Sequence, residues 1–369
     1  MLMSLSRGVR LLPLAVLTAV LVAIVGERPA LAEPEAAGWP DSMAALGDSI
    51  TQAANSSGIG NHPQNSWSTG TNASVDSVYL RILAQNPGIS GNNFNDSVSG
   101  ARMTHLDGQA ASAVGQGVEL VTILMGANDV CTGTEASMTP VATFEAQFET
   151  AMATLSSGLP DAQIAVGSIP DVFHLWDILH DVPIAVVFWD GFSICQSLLE
   201  NATSMAPEDV QRRANVRQRN IEFNTVLENV CAGYVQCRFD DNAGFNTAFG
   251  AEHVAFDNFH PSVAGQALAA SVAWGSWYGF VGLQLIQGDN DCDGDADSVD
   301  ALKGLQHVAA IGFSQGEGCP ELGSEVASLF GDVDCDDDID SVDALKILRR
   351  IAAFSVSQNE PCADIGEPI

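Results

Sequence analysis

Short apolar runs alternate with longer stretches of helical period between residues 41 and 279. Runs of four to eight apolar residues are typical of buried strands, and apolar residues spaced three and four apart are typical of helices packed on a core. The predicted strands are 43–46, 94–98, 118–125, 164–168 and, with a weaker pattern, 234–239. The predicted helices are 75–84, 141–156, 207–231 and 262–278. This alternation predicts an α/β domain over residues 39–280, with a parallel sheet between helices.

Polar residues follow the ends of the predicted strands. The first strand runs into Gly47-Asp48-Ser49, which would place a serine hydroxyl in a turn at the edge of the sheet. The carboxyl edge of an open α/β sheet is where ligands bind, so a nucleophile there would reach solvent and substrate. Gly-Asp-Ser is also ordinary turn chemistry, and this stretch alone does not decide between the two interpretations.

Three later stretches contain groups that a nucleophilic serine requires. Gly100 follows the second strand, and its N–H could approach a substrate oxygen closely, because glycine has no side chain. Asn128 follows the third strand and is a neutral donor suited to an oxyanion. Asp257 precedes His260 by three residues, so its carboxylate can orient the imidazole while the other ring nitrogen faces Ser49. Together they predict acyl transfer through Ser49, His260 and Asp257.

The segment from 171 to 199 is apolar and aromatic without a clean period, and it includes Trp176 and Trp189. Two interpretations stay open for it. It could form a mobile wall over an acyl pocket, or it could be an insertion that packs as core.

The first 32 residues have the pattern of an export signal. Arg7 and Arg10 precede an apolar run over 11–25, and Ala30-Leu31-Ala32 is the small-x-small pattern of a cleavage site. The run is short for a membrane anchor, which is the alternative. The sequence therefore predicts bacterial-type export to the extracellular space without stable insertion into a membrane.

Charge narrows the set of partners. The chain has 46 Asp and Glu against 14 Lys and Arg, a formal net charge of −32. This balance argues against nucleic acid and anionic membranes as partners and suggests cations.

Residues 288–369 form a second predicted unit with an internal repeat. Nineteen acidic residues stand there against four basic ones, and the stretch 289–303 returns at 332–346 with an offset of 43. A duplicated supersecondary unit is expected to pack on its own copy. Apolar residues recur at helical spacing after each repeat, which argues against a disordered acidic tail. They are Val299, Leu302, Leu305 and Val308, then Val342, Leu345, Leu348 and Ile351.

Aspartates in each repeat occupy the alternating positions of a calcium loop, where oxygen ligands converge on one hard cation. The predicted ligands are Asp289, Asp291, Asp293, Asp295, Asp297 and Asp300 in the first loop, and Asp332, Asp334, Asp336, Asp338, Asp340 and Asp343 in the second. Gly294 holds the turning position of the first loop. Asp337 replaces it in the second, which could weaken that site.

Eight cysteines in an exported chain favour disulfides over free thiols. The repeat offset pairs Cys292 with Cys319 and Cys335 with Cys362, one bridge for each copy. Cys231 and Cys237 would close a short loop, which leaves Cys131 with Cys195 by elimination. Metal binding by these thiols is disfavoured beside so many hard oxygen ligands.

The ordered set of motifs between residues 43 and 278 resembles the SGNH, or GDSL, hydrolase family, in its secreted esterase and lipase branch. The four namesake residues fall on Ser49, Gly100, Asn128 and His260, and Asp257-x-x-His260 matches the closing block. The resemblance implies a three-layer, flavodoxin-like α/β domain that needs no cofactor for catalysis. It also implies an oxyanion hole made by the Ser49 and Gly100 N–H groups and the Asn128 amide. Gly312-x-Ser314-x-Gly316 also has the spacing of a nucleophile motif but lacks the strand that the motif requires.

Aspartate at position 12 of each loop, followed by Ala-Leu-Lys, resembles the dockerin module of cellulosome-type proteins. This resemblance implies a small all-α domain of two calcium loop-helix repeats and a cohesin-type partner. The leading hypothesis is thus a secreted lipase or esterase with a calcium-folded tail. Two alternatives stay open, an acetylxylan-type esterase acting on polysaccharide and a non-catalytic surface or matrix binding protein.

Overall fold

The structure is a computed structural model. It describes residues 39–282, 286–292, 295–313, 315, 322–323, 330–336, 338–358 and 362–367. The predicted export signal, the predicted ligand Asp293 and the predicted bridge partner Cys319 lie outside the described residues.

Among the described residues, five parallel strands form one sheet in the order β2-β1-β3-β4-β5. They are β1 (Met43–Gly47), β2 (Asn93–Asn95), β3 (Leu120–Leu124), β4 (Gln163–Val166) and β5 (Cys237–Phe239). The α/β class and the parallel pairing predicted from the apolar runs are confirmed. In this order the chain changes direction of travel between β1 and β3, and the carboxyl ends of these two strands meet at the point where such sheets bind ligands.

Helices follow the strands along the chain. They are α1 (Val78–Gln85), α2 (Leu106–Gln116), α3 (Ala127–Val130), α4 (Val141–Gly158), α5 (Val172–Leu179), α6 (Pro183–Gly191), α7 (Gln196–Leu199), α8 (Pro207–Cys231), α9 (Ala243–Asn246), α10 (Val263–Gly282), α11 (Ser298–Val308) and α12 (Ser341–Ile351). Proline at the first position of α8 and two acidic residues in its first turn suit the free N–H groups there.

The two faces of the sheet belong to two separate cores because successive strand residues point to opposite sides. Ala44 and Leu46 of β1 pack with α2, α4 and α8, whereas Met43 packs with α1 and α10. Strands β1 and β3 are buried along their whole length. The three layers implied by the family resemblance are therefore present.

Element boundaries differ from prediction where local chemistry ends the regular structure. Helix α8 has the predicted bounds, whereas β5 is shorter than predicted because the chain turns between Tyr234 and Cys237 and the Cys231–Cys237 disulfide closes that turn. Helix α2 was not predicted. Its two glycines and four small residues give it little apolar period.

The aromatic segment from 171 to 199 folds as α5, α6 and α7. Trp176 and Trp189 are buried in the core, so the interpretation as packed insertion is right for both rings. The Trp176 indole N–H donates to the Ala202 carbonyl at 2.7 Å, and the Arg213 guanidinium stacks over its ring.

The tail contains the two predicted helices, α11 and α12, which pack against each other. Ala301, Ala344 and Ile347 form the centre of this contact with Val333 and Ile365. The apolar stripe predicted for each helix points elsewhere. Its residues remain 40–51% exposed on α11 and 41–54% exposed on α12.

Within the part of the chain that the structure describes, no helix combines the length and apolarity needed to cross a bilayer.

Candidate active site

Strand β1 ends two residues before Ser49, and the strand end has no room for a side chain. A Cβ atom on Gly47 would lie 2.5 Å from Thr51 Oγ1 and 2.6 Å from the Leu124 carbonyl oxygen. The Gly47 N–H donates to Gln109 Oε1 at 2.7 Å, and the Gln109 amide donates back to the Gly47 carbonyl at 2.9 Å. Helix α2 therefore fixes the peptide from which the serine turn starts.

The structure brings Ser49, His260 and Asp257 into one line of hydrogen bonds. Ser49 Oγ lies 3.0 Å from His260 Nε2, although the two residues are 211 positions apart. His260 Nδ1 lies 2.6 Å from Asp257 Oδ2. This is the order of contacts that the sequence predicts for a nucleophile, a base and an orienting acid.

Asp257 is held in its ionised form. Burial would raise its pKa, but the hydrogen bond and charge of His260, together with the Asn55 amide, outweigh burial and lower the pKa of Asp257. A carboxylate accepts hydrogen bonds and does not donate them, so Nδ1 of His260 carries the ring proton. The other ring nitrogen is then free to accept the Ser49 proton.

The loop between Asp257 and His260 contains a residue with positive φ and accepts a hydrogen bond from the insertion. Asn258 has a φ of 58° in the left-handed region, which asparagine tolerates better than most residues. The Trp189 indole N–H donates to the Asn258 carbonyl at 2.9 Å. The insertion thus contacts the backbone between Asp257 and His260.

Asn128 lies at the start of α3, immediately after β3, and its amide faces the serine turn. Its Nδ2 donates to the Ala101 carbonyl at 3.0 Å and to Asp48 Oδ2 at 3.3 Å. The first contact ties Asn128 to the loop that contains Gly100. Burial raises the pKa of Asp48 to about 6, against the opposing effects of the Ile50 N–H and of His260. Asp48 stabilises the turn, because its Oδ1 accepts the Ile50 N–H at 2.9 Å.

Gly100 has a φ of 81°, a conformation that disfavours any residue with a side chain. No atom lies within 4 Å of a Cβ placed there, so backbone conformation and not space requires the glycine. Among the described residues, neither the Ser49 nor the Gly100 N–H donates a hydrogen bond. Both N–H groups are available as the predicted oxyanion donors.

A strongly apolar cavity of about 170 Å³ opens beside Ser49, Asn128 and His260. Its walls come from both cores and from the insertion. They include Trp67, Leu124, Val172, Leu175, Leu198, Phe249, Phe259, Leu268, Ala269 and Trp277. Trp176 and Trp189 do not line it, although other residues of the same insertion do. The cavity can hold an apolar group attached to the atom that Ser49 attacks.

The predicted calcium ligands form carboxylate clusters in the tail. Their oxygens lie within 4.8 Å of one another in four groups, 289/291/300 and 295/297/300 in the first loop and 332/334/343 and 338/340/343 in the second. Asp300 and Asp343 are buried at the start of α11 and α12, and each belongs to both groups of its loop. Asp336 belongs to neither group, and its Oδ1 accepts the Asp338 N–H at 3.3 Å.

These clusters suit a hard divalent cation, although Lys346 Nζ already lies 2.9 Å from Asp334 Oδ2 in the second loop. Burial and the charges of Asp289 and Asp291 raise the pKa of Asp300 to about 7. Burial and the charges of Asp334 and Asp332 raise the pKa of Asp343 to about 6. Crowded, buried carboxylates of this kind are stabilised by a bound cation, so the donor set fits calcium.

The structure contains the predicted Cys131–Cys195, Cys231–Cys237 and Cys335–Cys362 disulfides. Cys131 follows α3 directly, so its bridge joins the turn that carries Asn128 to the insertion. The predicted partner of Cys292, Cys319, lies outside the described residues.

Two residues of the site were not predicted from the sequence. Gln109 supports Gly47, and the signal for it was a polar residue on the buried face of α2, between Leu106 and Ala110. Asn55 donates to Asp257 Oδ2 at 2.7 Å. Asn55-Ser56-Ser57-Gly58 has the composition of an ordinary turn, and it gave no signal for a contact 202 positions away.

Comparison with known proteins gives a family and several similar folds. The family profile described as GDSL-like Lipase/Acylhydrolase matches residues 43–273. Comparison with curated proteins finds no match.

Three of the similar solved structures are two lipolytic enzymes and a carbohydrate esterase. The extracellular lipase of Streptomyces rimosus is 16% identical, with a TM-score of 0.38, over 64% of this chain and 99% of that chain. Phospholipase A1 of Streptomyces albidoflavus NA297 is 16% identical, with a TM-score of 0.37, over 64% and 98%. A family 3 carbohydrate esterase of Clostridium thermocellum is 11% identical, with a TM-score of 0.39, over 65% and 96%. Because the profile matches more than half of the 369 residues and spans all the strand-end motifs, the chain belongs to the GDSL-like lipase/acylhydrolase family.

Proposed function

We propose that the protein is a secreted serine hydrolase that cleaves carboxylic esters through an acyl-enzyme. The observation that carries this proposal is the continuous line of hydrogen bonds from Ser49 Oγ to His260 Nε2 at 3.0 Å and from His260 Nδ1 to Asp257 at 2.6 Å. An assembled line of this kind argues against the alternative of a non-catalytic binding protein.

In the proposed reaction, Ser49 Oγ attacks the ester carbonyl carbon while His260 Nε2 accepts the hydroxyl proton. The tetrahedral intermediate collapses, His260 returns the proton to the departing alcohol, and the acyl group stays on Ser49. Water then repeats the sequence and releases the carboxylic acid. Asp257 remains ionised throughout and stabilises the imidazolium, which agrees with its lowered pKa.

The oxyanion would be held by the Ser49 and Gly100 N–H groups and by Asn128 Nδ2. Both hydrogens of Asn128 Nδ2 already have acceptors, of which Asp48 at 3.3 Å is the more distant. A developing negative oxygen is a stronger acceptor than a long contact of this kind, so it would take over that hydrogen.

The apolar cavity supports an acyl group longer than acetyl. It starts at Ser49 and His260 and extends to Trp277 on α10. Each buried methylene contributes about 0.8 kcal/mol, so a chain that fills the cavity would bind more tightly than acetate. The similar solved structures include lipases and a carbohydrate esterase, and the dockerin-like tail favours the acetylxylan-type alternative.

For the tail we propose a calcium-folded, dockerin-like module that attaches the enzyme to a cohesin-type partner. The residues that would hold the two ions are those of the four carboxylate groups, and the ions would neutralise buried charge at the starts of α11 and α12. The exposed apolar stripes of both helices support a docking role. A pull-down on a cohesin, with and without calcium, separates docking from a purely structural tail.

Replacement of the nucleophile tests the mechanism directly. We expect Ser49→Ala to abolish hydrolysis of short p-nitrophenyl esters, because no other described hydroxyl contacts His260 Nε2. Ser314→Ala is the control and should retain full turnover, since the element that precedes Ser314 among the described residues is helix α11, whereas a nucleophile motif needs a strand there. Turnover that survives in Ser49→Ala would contradict the proposal.

Replacement of the side-chain oxyanion donor tests transition-state stabilisation. We expect Asn128→Ala to lower kcat by about 10²–10³-fold with a much smaller change in KM, because the lost hydrogen bond forms mainly in the transition state. Steady-state kinetics on the same esters measures this. An equal effect on KM, with kcat preserved, would assign Asn128 to substrate binding instead.

A panel of acyl chain lengths tests the substrate class. We expect kcat/KM to rise from p-nitrophenyl acetate through butyrate to octanoate by up to about fourfold per methylene, and acetylated xylan to be a poor substrate. Ala269→Phe should reduce activity on octanoate more than on acetate, because Ala269 lines the cavity. Ala264→Phe, on the exposed side of the same helix, is the control. Highest activity on acetate and acetylated xylan would favour the carbohydrate alternative.

Removal of calcium tests the tail. We expect a chelator to unfold residues 288–369, seen as a loss of helical circular dichroism and as protease cleavage in the tail, while ester hydrolysis stays nearly unchanged. Added calcium should restore the helices. A tail that stays fully helical in chelator would show that the clusters do not depend on an ion.

A further inference from the structure

The Asp257 carboxylate accepts four hydrogen bonds, and one of them comes from a distant part of the chain. The Phe259 and His260 N–H groups donate to Oδ1 at 3.1 and 3.0 Å, and His260 Nδ1 donates to Oδ2 at 2.6 Å. These three donors belong to the same loop as the acid. The fourth donor is Asn55 Nδ2, at 2.7 Å from Oδ2.

The side chain of Asn55 has a fixed orientation. Its backbone is left-handed, with a φ of 59°, and its N–H donates to the Gly60 carbonyl at 2.7 Å. The Gly60 N–H in turn donates to Asn55 Oδ1 at 2.9 Å. Because an N–H group must face the amide oxygen, the amide nitrogen is the end that points toward Asp257.

Asn55 also belongs to the turn that carries the nucleophile. The Ala54 N–H, one residue before it, donates to the Ser49 carbonyl at 2.9 Å. A short path through the backbone therefore joins the serine to the amide that contacts the acid. Within the described part of the chain, this side-chain contact and the Ser49–His260 contact join the serine turn to the loop that contains Asp257 and His260.

We propose that Asn55 is a positioning residue for the triad. Its amide holds the Asp257 carboxylate in place relative to the serine turn and lowers the basicity of that carboxylate. The proposal rests on the proposed function of Ser49, His260 and Asp257. A donor to a carboxylate stabilises the charged form, so Asn55 weakens the hold of Asp257 on the imidazole proton. The amide thereby keeps His260 oriented toward Ser49 and favours the neutral ring that acts as base.

Two variants test this role. Asn55→Ala should lower kcat about ten- to hundredfold with little change in KM, the scale expected when a charged group loses a hydrogen bond. The acid limb of the kcat/KM profile should move to higher pH, because an unmoderated carboxylate favours the protonated ring. Asn55→Asp, which keeps the size of the side chain and tolerates the left-handed backbone, should also move that limb to higher pH, because its ionised carboxylate cannot donate to Asp257 and adds a negative charge. Among the described residues, the carboxylates of Asp257 and Asp48 interact electrostatically with His260, and both are unchanged in these variants.

Asn65 provides the matched control within the same loop. It is buried, whereas Asn55 is half-buried, and the Asn65 Nδ2 donates to the Ser56 and Ser57 hydroxyls at 3.1 and 3.0 Å without contacting Asp257. Asn65→Ala should lower the melting temperature and leave the acid limb in place. If Asn55→Ala lowers only the melting temperature, with kcat and the acid limb unchanged, Asn55 is merely structural and the proposal is overturned.

A spectroscopic measurement separates this proposal from the proposed function. The downfield proton resonance of His260 Nδ1 reports its bond to Asp257 in the full chain without any substrate. We expect it to shift in Asn55→Ala and to stay in place in Asn65→Ala, whereas no shift in Asn55→Ala would overturn the proposal. A wild-type chain that hydrolyses no ester would refute the proposed function, and this resonance would still test the Asn55 contact.

Discussion

The site depends on the way in which β1 ends. Gly47 is enclosed so tightly by Thr51 and the Leu124 carbonyl that a single added carbon atom would collide with both. One buried glutamine, Gln109, holds both the N–H and the carbonyl of Gly47, and the Val98 N–H donates to the same carbonyl. With no freedom left at that peptide, the next two residues have a defined starting direction, and the Ser49 hydroxyl emerges at the edge where β1 and β3 finish.

Around this fixed point the protein gathers side chains from loops that are distant in sequence. Asn128 follows β3, and its amide binds the Ala101 carbonyl in the loop that contains Gly100. The loop with Asp257 and His260 contacts Ser49 through the His260 ring. Most of the buried polar groups here satisfy one another. Asp129 illustrates this, because its oxygens accept the Met103 N–H and the Thr139 hydroxyl and so stabilise the turn beside Asn128. Among the described residues, the Ser49 and Gly100 N–H groups donate no hydrogen bond.

The sequence predicts those parts of the molecule whose signal is local. Buried strands, long amphipathic helices and residues placed directly after strand ends leave a pattern within a few positions, and for this reason β1, β3, α8 and the strand-end motifs were found. Helix α2 was missed because glycine, alanine and serine have weak period. The contact of Asn55 with Asp257 and the contact of Trp189 with Asn258 could not be predicted, since each is one hydrogen bond to a residue far along the chain. On α11 and α12 a local pattern predicted the helices correctly but predicted the wrong buried face, because the apolar residues at helical spacing are exposed.

The hydrogen bond from the Trp189 indole to the Asn258 carbonyl links the walls of the cavity to the loop that contains Asp257 and His260. The insertion that contains Trp189 also supplies Val172, Leu175 and Leu198 to the cavity, and its disulfide from Cys195 reaches the turn of Asn128. If the proposed ester hydrolysis holds, exchange of this insertion for one of another shape would alter both the choice of acyl group and the contact with the loop that contains Asp257 and His260. The walls of the cavity and the geometry of the proposed triad thus share one insertion, and a redesign of the cavity alone requires that the indole contact and the Cys131–Cys195 bridge be kept.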